Sequence, residues 1–234
     1  SETRIEVLGA EDMLGAAAVP DAREVVLKIA VKCPAKASLD LFGREFFAAG
    51  TSMAPGTTGL VGGRPTATPV IRLFSFLIDK GEVPIELDVD GRRTPIVVPR
   101  GMPDAPDRLP PARVFQDAPP VAGPTRTVPL IRLAHGRSGD KGNKANIGLI
   151  ARKPEYLPLL SAWMTPERVA QYFAHNRPSA VERFDLPGFH AMNFLLHDVL
   201  GGGGMASLRT DNLAKAYAQV LLTMPVEVPA DLPV

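Results

Sequence analysis

Val128-Pro129-Leu130-Ile131-Arg132-Leu133-Ala134-His135-Gly136-Arg137-Ser138-Gly139-Asp140-Lys141-Gly142-Asn143-Lys144-Ala145-Asn146-Ile147-Gly148-Leu149-Ile150-Ala151 places a polar, glycine-bearing centre between two apolar runs. Val128 to Leu133 and Ala145 to Ala151 have the apolar, partly β-branched character of strands. The centre, His135 to Gly148, is expected to form a loop between them. Glycines at 136, 139, 142 and 148 let such a backbone turn sharply and approach a ligand closely.

The same centre is the richest in chemistry. Arg137, Lys141 and Lys144 are cations suited to phosphate or carboxylate. Backbone N–H groups around Gly139 and Gly142 would add an anion-binding nest. His135 and Asp140 are candidate acid–base groups, and Ser138 is a candidate hydrogen-bond donor. The spacing is not that of a phosphate-binding Walker loop or of a dinucleotide fingerprint. The alternative is a solvated hairpin whose glycines serve only the turn.

Downstream, Glu155 to Trp163 has helical spacing. Thr165-Pro166-Glu167-Arg168 predicts a second helix, with Thr165 as N-cap and Pro166 in the first turn. Val181 to Leu186 alternates as a strand. Phe189 to Leu200 is expected to be a helix, with a strand as the competing reading. Gly201-Gly202-Gly203-Gly204 is either a flexible connection or a close approach to a ligand through Gly202 and Gly203. Met205 to Arg209 is expected to be a short strand, putting Ser207, Arg209 and Asp211 on one face. Asn212 to Leu222 is expected to be a helix capped by Asp211. Residues 127–234 thus read as an α+β sandwich, one sheet with helices on one face.

Upstream, residues 101–126 read GMPDAPDRLPPARVFQDAPPVAGPTR, a proline-rich linker without apolar periodicity. Residues 1–100 form a first module. Thr3 to Leu8 and Arg23 to Lys32 alternate as strands. Ala35 to Ala49 carries Leu39, Phe42, Phe46 and Phe47 at helical spacing, with Pro34 suited to its first turn. Gly50 to Pro69 is a long loop whose glycines and hydroxyls either hold a polar ligand or pack at a domain interface. Val70 to Ile78 reads as a continuous apolar strand. Pro84 to Val89 and Arg93 to Val98 flank Asp90-Gly91, a hairpin signal.

Composition narrows the function classes. A net charge of +1 argues against a dedicated nucleic-acid or membrane-surface binder, and no apolar run approaches a membrane span. Cys33, the one cysteine, has no partner for a disulfide or a zinc site. His190 and His197 lie seven apart, the wrong spacing for a helical metal pair, so no metal is expected. Without a legible signal peptide, the expected location is the cytoplasm.

The stretches HGRSGDKGNKANIGLIARKPEY and PGFHAMNFLLHDVLGGGGMASLRTDNLAKAYAQVLL resemble the ferredoxin-like domain of the acyclic terpene utilisation (AtuA) family. EVVLKIAVKCPAKASLDLFGREFFAAGTSMAPGTTGL and RPTATPVIRLFSFLI are similar to the end of the main AtuA domain. The resemblance implies an incomplete α/β module joined by the linker to a ferredoxin-like α+β sandwich. It also implies a role in acyclic terpenoid or branched-acid catabolism, as an enzyme or subunit acting on an acyl-CoA or carboxylate. A CoA ester is then the expected ligand, and a homo- or hetero-oligomer the expected assembly. Family members are usually longer, with an N-terminal α/β portion missing here, so a separate subunit completed by a partner, or a fragment, is expected. Where the family commonly has Gly-Lys, this chain has Ala214-Lys215. The alternative function is a noncatalytic subunit that completes a partner's fold.

Overall fold

A computed structural model describes residues 1–18, 21–99, 115 and 123–234. Residues 101–114 and 116–122, most of the expected linker, lie outside them. The chain divides into two compact units, Ser1–Arg72 with Arg113–Val234, and Leu73–Ala112.

The smaller unit contains one hairpin, strands Glu86–Val89 and Arg92–Pro95, as its sequence predicts. Asp90 and Gly91 both adopt positive φ, 52° and 80°, the geometry an Asp-Gly hairpin turn requires. Numbering strands in chain order, these are β3 and β4. Residues 70–78 form no strand, contrary to the apolar run's prediction. No neighbouring strand takes up their backbone groups, and an apolar run alone does not supply a partner.

The larger unit has a core that lies wholly within residues 128–228. Strands β6 (Ala134–Lys141), β7 (Lys144–Ala151), β8 (Val181–Leu186) and β9 (Ala191–Leu196) form an antiparallel sheet in the order β6-β7-β9-β8. Helices α3 (Leu157–Trp163), α4 (Pro166–Tyr172) and α5 (Tyr217–Leu222) supply the other layer. Ile147, Leu149, Met192, Phe194 and Leu196 alternate along β7 and β9 and are buried with Leu160, Val169, Phe173 and Leu221 of the helical layer. Phe173 stacks on Tyr217 at 5.1 Å between centroids. Thr165 accepts the Arg168 N–H and caps α4, as its sequence predicts. Arg183 of β8 pairs with Asp185 at 2.6 Å and donates to the Ser161 and Met164 carbonyls at the end of α3, tying that helix to the sheet. A separate ribbon pairs β5 (Thr125–Pro129) with β10 (Pro225–Pro229).

Four C-terminal expectations are corrected. The strand predicted over 128–133 is β5, which ends at Pro129 and gives way to a 3-10 turn. The 189–200 helix is instead strand β9. It is central in the sheet, with Met192, Phe194 and Leu196 buried and Asn193 and Leu195 only partly covered on the other face, and apolar residues on both faces blur its period. The 205–209 strand does not form, because Gly201 to Gly204 all take positive φ and lead into a 3-10 turn. The last helix begins only at Tyr217, since Ala214 sits at φ 52°, outside helical backbone.

The N-terminal part of the larger unit pairs β1 (Glu2–Leu8) antiparallel with β2 (Val26–Lys32), two segments whose sequences read as strands. α1 is a single turn at Glu11–Leu14. Helix α2 (Lys36–Ser52) starts after its N-cap Ala35, so Pro34 stands just outside it. Gly43 is the point where α2 meets the following loop. A Cβ there would lie 2.8 Å from the Pro65 carbonyl oxygen. Among the described residues before 100, only Glu6 and Gly43 are buried. This part therefore has no apolar core of its own.

Candidate functional site

The segment expected as a loop is a hairpin. β6 and β7 pair from Ala134↔Ala151 to Lys141↔Lys144, and only Gly142 and Asn143 turn. The alternation of a strand then divides the sequence-assigned residues between two faces. Ser138 and Asp140 fall on the helix-covered face, with Gly136. His135, Arg137, Gly139 and Lys141 fall on the opposite face, with Lys144, Asn146 and Gly148 of β7. The trio His135, Ser138 and Asp140 does not converge.

Ser138 is buried. Its hydroxyl donates to the Ala214 carbonyl at 2.6 Å and accepts the Ala218 N–H at 2.8 Å. Both bonds tie the hairpin to the segment entering α5. Asp140 is one-third exposed and lies 3.8 Å from the Lys215 ammonium. That ammonium stands over Gly139, 3.3 Å from where a Cβ would be.

The hairpin tip and the glycine run do meet. A Cβ on Gly203 would fall 2.2 Å from the Gly142 carbonyl oxygen. The Gly202 N–H donates to Asn143 Oδ1 at 2.7 Å, and Asn143 Nδ2 donates to Asp198 at 3.0 Å. Gly142, Gly202 and Gly203 thus come together as two turns in contact.

Ser207, Arg209 and Asp211 share no strand face. Ser207 Oγ accepts the Arg209 N–H at 3.1 Å. The Arg209 guanidinium donates to Asn176 Oδ1 at 2.6 Å. Asp211 accepts the N–H groups of Lys215 and Ala216. Burial lowers the pKa of Arg209. Burial also pushes Tyr217 up to about 12, against the opposing pull of Arg209.

Sequence reasoning missed the cluster beside this turn. Glu6 is 2% exposed and receives Lys28 at 2.9 Å, Arg4 at 2.9 Å, and both the N–H and the hydroxyl of Thr210. Burial pushes its carboxyl up, but the Thr210, Lys28 and Arg4 hydrogen bonds outweigh this and hold it at about 2. Lys28 also donates to the Leu208 carbonyl at 2.8 Å. The available signal was charge alternation, with Glu2, Arg4 and Glu6 on one face of a strand whose other face is Thr3, Ile5 and Val7. Burial also lowers His175, whose ring packs against Gly15.

A cleft of about 1040 Å³ opens beside the cluster. β2 supplies Val31 and Lys32, and α2 supplies Lys36, Leu39 and Phe42. The loop following α2 supplies Pro65 to Val70 and Arg72. Met205, Ser207 and Leu208 come from the C-terminal part. Lys32 is paired with Glu2 at 3.2 Å and Lys36 with Asp40 at 2.9 Å. Arg72 has no carboxylate partner among the described residues. Cys33 lines the same cleft as a free thiol. Of the individually assigned residues only Ser207 lines this space, together with Pro65 to Pro69 at the end of the 50–69 loop that the sequence offered as a ligand loop or an interface. Among the described residues, no group of three or more His, Cys, Asp or Glu is placed to hold a metal, and no helix is long and apolar enough to cross a membrane.

Residues 1–89 match the family model described as acyclic terpene utilisation family protein AtuA. Residues 128–227 match that of the AtuA ferredoxin-like domain. No curated protein and no solved structure matches the chain.

Proposed function

We propose, for a chain that belongs to the AtuA family, that it binds an amphipathic organic anion in the cleft between α2, β2 and the Met205–Leu208 turn. The ligand class is a branched-chain carboxylate or its CoA thioester, an intermediate of acyclic terpenoid breakdown. The observation that carries this reading is the lining. Val31, Leu39, Phe42 and Leu208 offer apolar contact, while Lys32, Lys36 and Arg72 offer positive charge. The volume is at the upper end of the range for small-molecule sites. Arg72 suits a carboxylate or phosphate, because its planar fork donates two parallel hydrogen bonds. If the reaction is completed on the hairpin, His135, on the same face as Arg137, Lys141 and Lys144, carries the acid–base work and those three cations hold the anion.

Calorimetric titration with a branched medium-chain carboxylate and with its CoA thioester tests this. Lys36→Ala/Arg72→Ala is expected to weaken binding at least about tenfold, from two lost charge-assisted contacts. Unchanged affinity in that variant sinks the cleft assignment. Arg137→Ala/Lys141→Ala in the same titration reads whether the hairpin shares the ligand.

A second reading, a subunit that completes a partner's fold, rests on a different observation. Leu73, Phe74, Phe76 and Leu77 are between 70% and 102% exposed. Among the described residues before 100, no apolar side chain is buried. An apolar surface of this kind marks an interaction face. A concentration-independent monomer by analytical ultracentrifugation, alone and with co-expressed proteins, argues against this second reading.

A further inference from the structure

The uncovered face of the four-stranded sheet carries an arrangement that the cleft does not use. On it, Arg137 lies opposite Gly148, Gly139 opposite Asn146, and Lys141 opposite Lys144. Asn193 of β9 lies opposite Gly148 from the other side. Asn146 Nδ2 donates to Asn193 Oδ1 at 3.3 Å, which leaves the Asn193 amide N–H₂ without an acceptor among the described residues. Gly139 and Gly148 leave a floor with no side chain. Lys215 Nζ occupies the space above Gly139, and its nearest carboxylate, Asp140, is 3.8 Å away. Arg137, Lys141 and Lys144 make no ion pair among the described residues. Asp140 itself belongs to the helix-covered face, and the carboxylate on the open face, Glu182, sits on the far edge strand and is bonded to His197. That places it roughly 14 Å away at ordinary strand spacing.

Among the described residues, Arg137, Lys141 and Lys144 share the open face without a neighbouring carboxylate on it, and the Lys215 ammonium reaches its edge above Gly139, so an added anion relieves their mutual repulsion. The face becomes apolar along the strands, with Ile150 50%, Phe184 47% and Leu186 42% exposed. We infer that the uncovered sheet face around Gly139 and Gly148 binds a phosphate monoester, with its phosphate among Arg137, Lys144 and Lys215 and its organic part over Ile150 and Phe184. Charge favours a phosphate over a carboxylate. A dianion offers three acceptor oxygens and matches a surplus of more than one positive charge. The bare Gly148 lets an oxygen come down to the backbone, while above Gly139 the phosphate meets the Lys215 ammonium.

The test is a nuclear magnetic resonance titration of the full chain at constant ionic strength. It follows the Gly139 and Gly148 backbone amides and the Asn146 and Asn193 side-chain amides. The probes are inorganic phosphate, phenyl phosphate and benzoate. Saturable shifts confined to these groups are expected, strongest with phenyl phosphate and weakest with benzoate. Arg137→Met/Lys215→Met is expected to weaken phenyl phosphate binding at least about tenfold. Both side chains lie at the surface, so this variant keeps its fold, and its unshifted core resonances verify that. Lys36→Ala/Arg72→Ala in the cleft leaves the phenyl phosphate titration curves of these sheet-face groups unchanged. Three results overturn the inference: no saturable shift, undiminished binding by the sheet-face variant, or benzoate binding as tightly as phenyl phosphate.

Discussion

Glu6 and Lys28 face each other across the β1–β2 ribbon at 2.9 Å, and both also reach the same C-terminal turn. Glu6 accepts from Thr210, and Lys28 donates to the Leu208 carbonyl and the Thr210 hydroxyl. The N-terminal ribbon buries no apolar side chain, so this ionic cluster is a principal tie between it and the ferredoxin-like part. Glu6→Gln keeps the shape but leaves Arg4 and Lys28 without their carboxylate. We expect a loss of roughly 2–3 kcal/mol in chemical denaturation, or separate unfolding of the ribbon. A fully cooperative, undiminished transition would contradict this.

The same cluster sets an acid dependence. The folded-state pKa of Glu6 is about 2, below its ordinary value of 4.5. Its contribution is therefore fully present above about pH 4.5 and is lost as pH falls toward 2. Stability measured from pH 6 down to 2 is expected to fall across that window. Glu6→Gln should flatten part of the slope.

Gly203 stands against the hairpin tip at φ 79°, with no room for a Cβ. Gly203→Ala meets the Gly142 carbonyl oxygen and takes on a left-handed backbone cost as well. A loss of roughly 2–4 kcal/mol is expected. Gly204→Ala, also at positive φ but with open space around it, should lose only the backbone part, about 1 kcal/mol. Thermal denaturation of the two variants separates the steric contact from the backbone effect.

Gly43→Ala contrasts two effects within one helix. Alanine favours helix by about 1 kcal/mol over glycine. At this position, however, the new methyl would lie 2.8 Å from the Pro65 carbonyl oxygen and push the cleft-lining loop away. The expected outcome is weaker carboxylate binding with little change in overall stability. Unchanged affinity would show that the loop gives way without moving the cleft wall.

Ser138→Ala removes a hydroxyl that both donates and accepts in the interior. It leaves the Ala214 carbonyl and the Ala218 N–H without that partner, at a cost of about 1–3 kcal/mol. A thermal shift of that size with unchanged ligand affinity identifies Ser138 as a tie between the hairpin and α5. Loss of affinity at full stability would point to direct ligand contact.

The sequence determined the local elements whose signals are local. Alternation set β1, β2 and β8, Asp90-Gly91 set the small hairpin, and Thr165-Pro166 set the start of α4. The RSGDKG stretch and its surroundings indicated the family. Alternation also separates two faces of a strand, but it does not say which one other elements will cover. That choice rests on contacts between residues far apart in the chain, such as Ser138 with Ala214, 76 positions away, and Glu6 with Thr210, 204 positions away. Only the tertiary structure could bury the Ser138 hydroxyl while leaving Arg137 uncovered. The same packing placed Arg209 against Asn176 and assembled the cleft from three distant segments. It also decided against a strand at 70–78, because a strand needs a neighbour to accept its backbone hydrogen bonds, and an apolar run does not provide one.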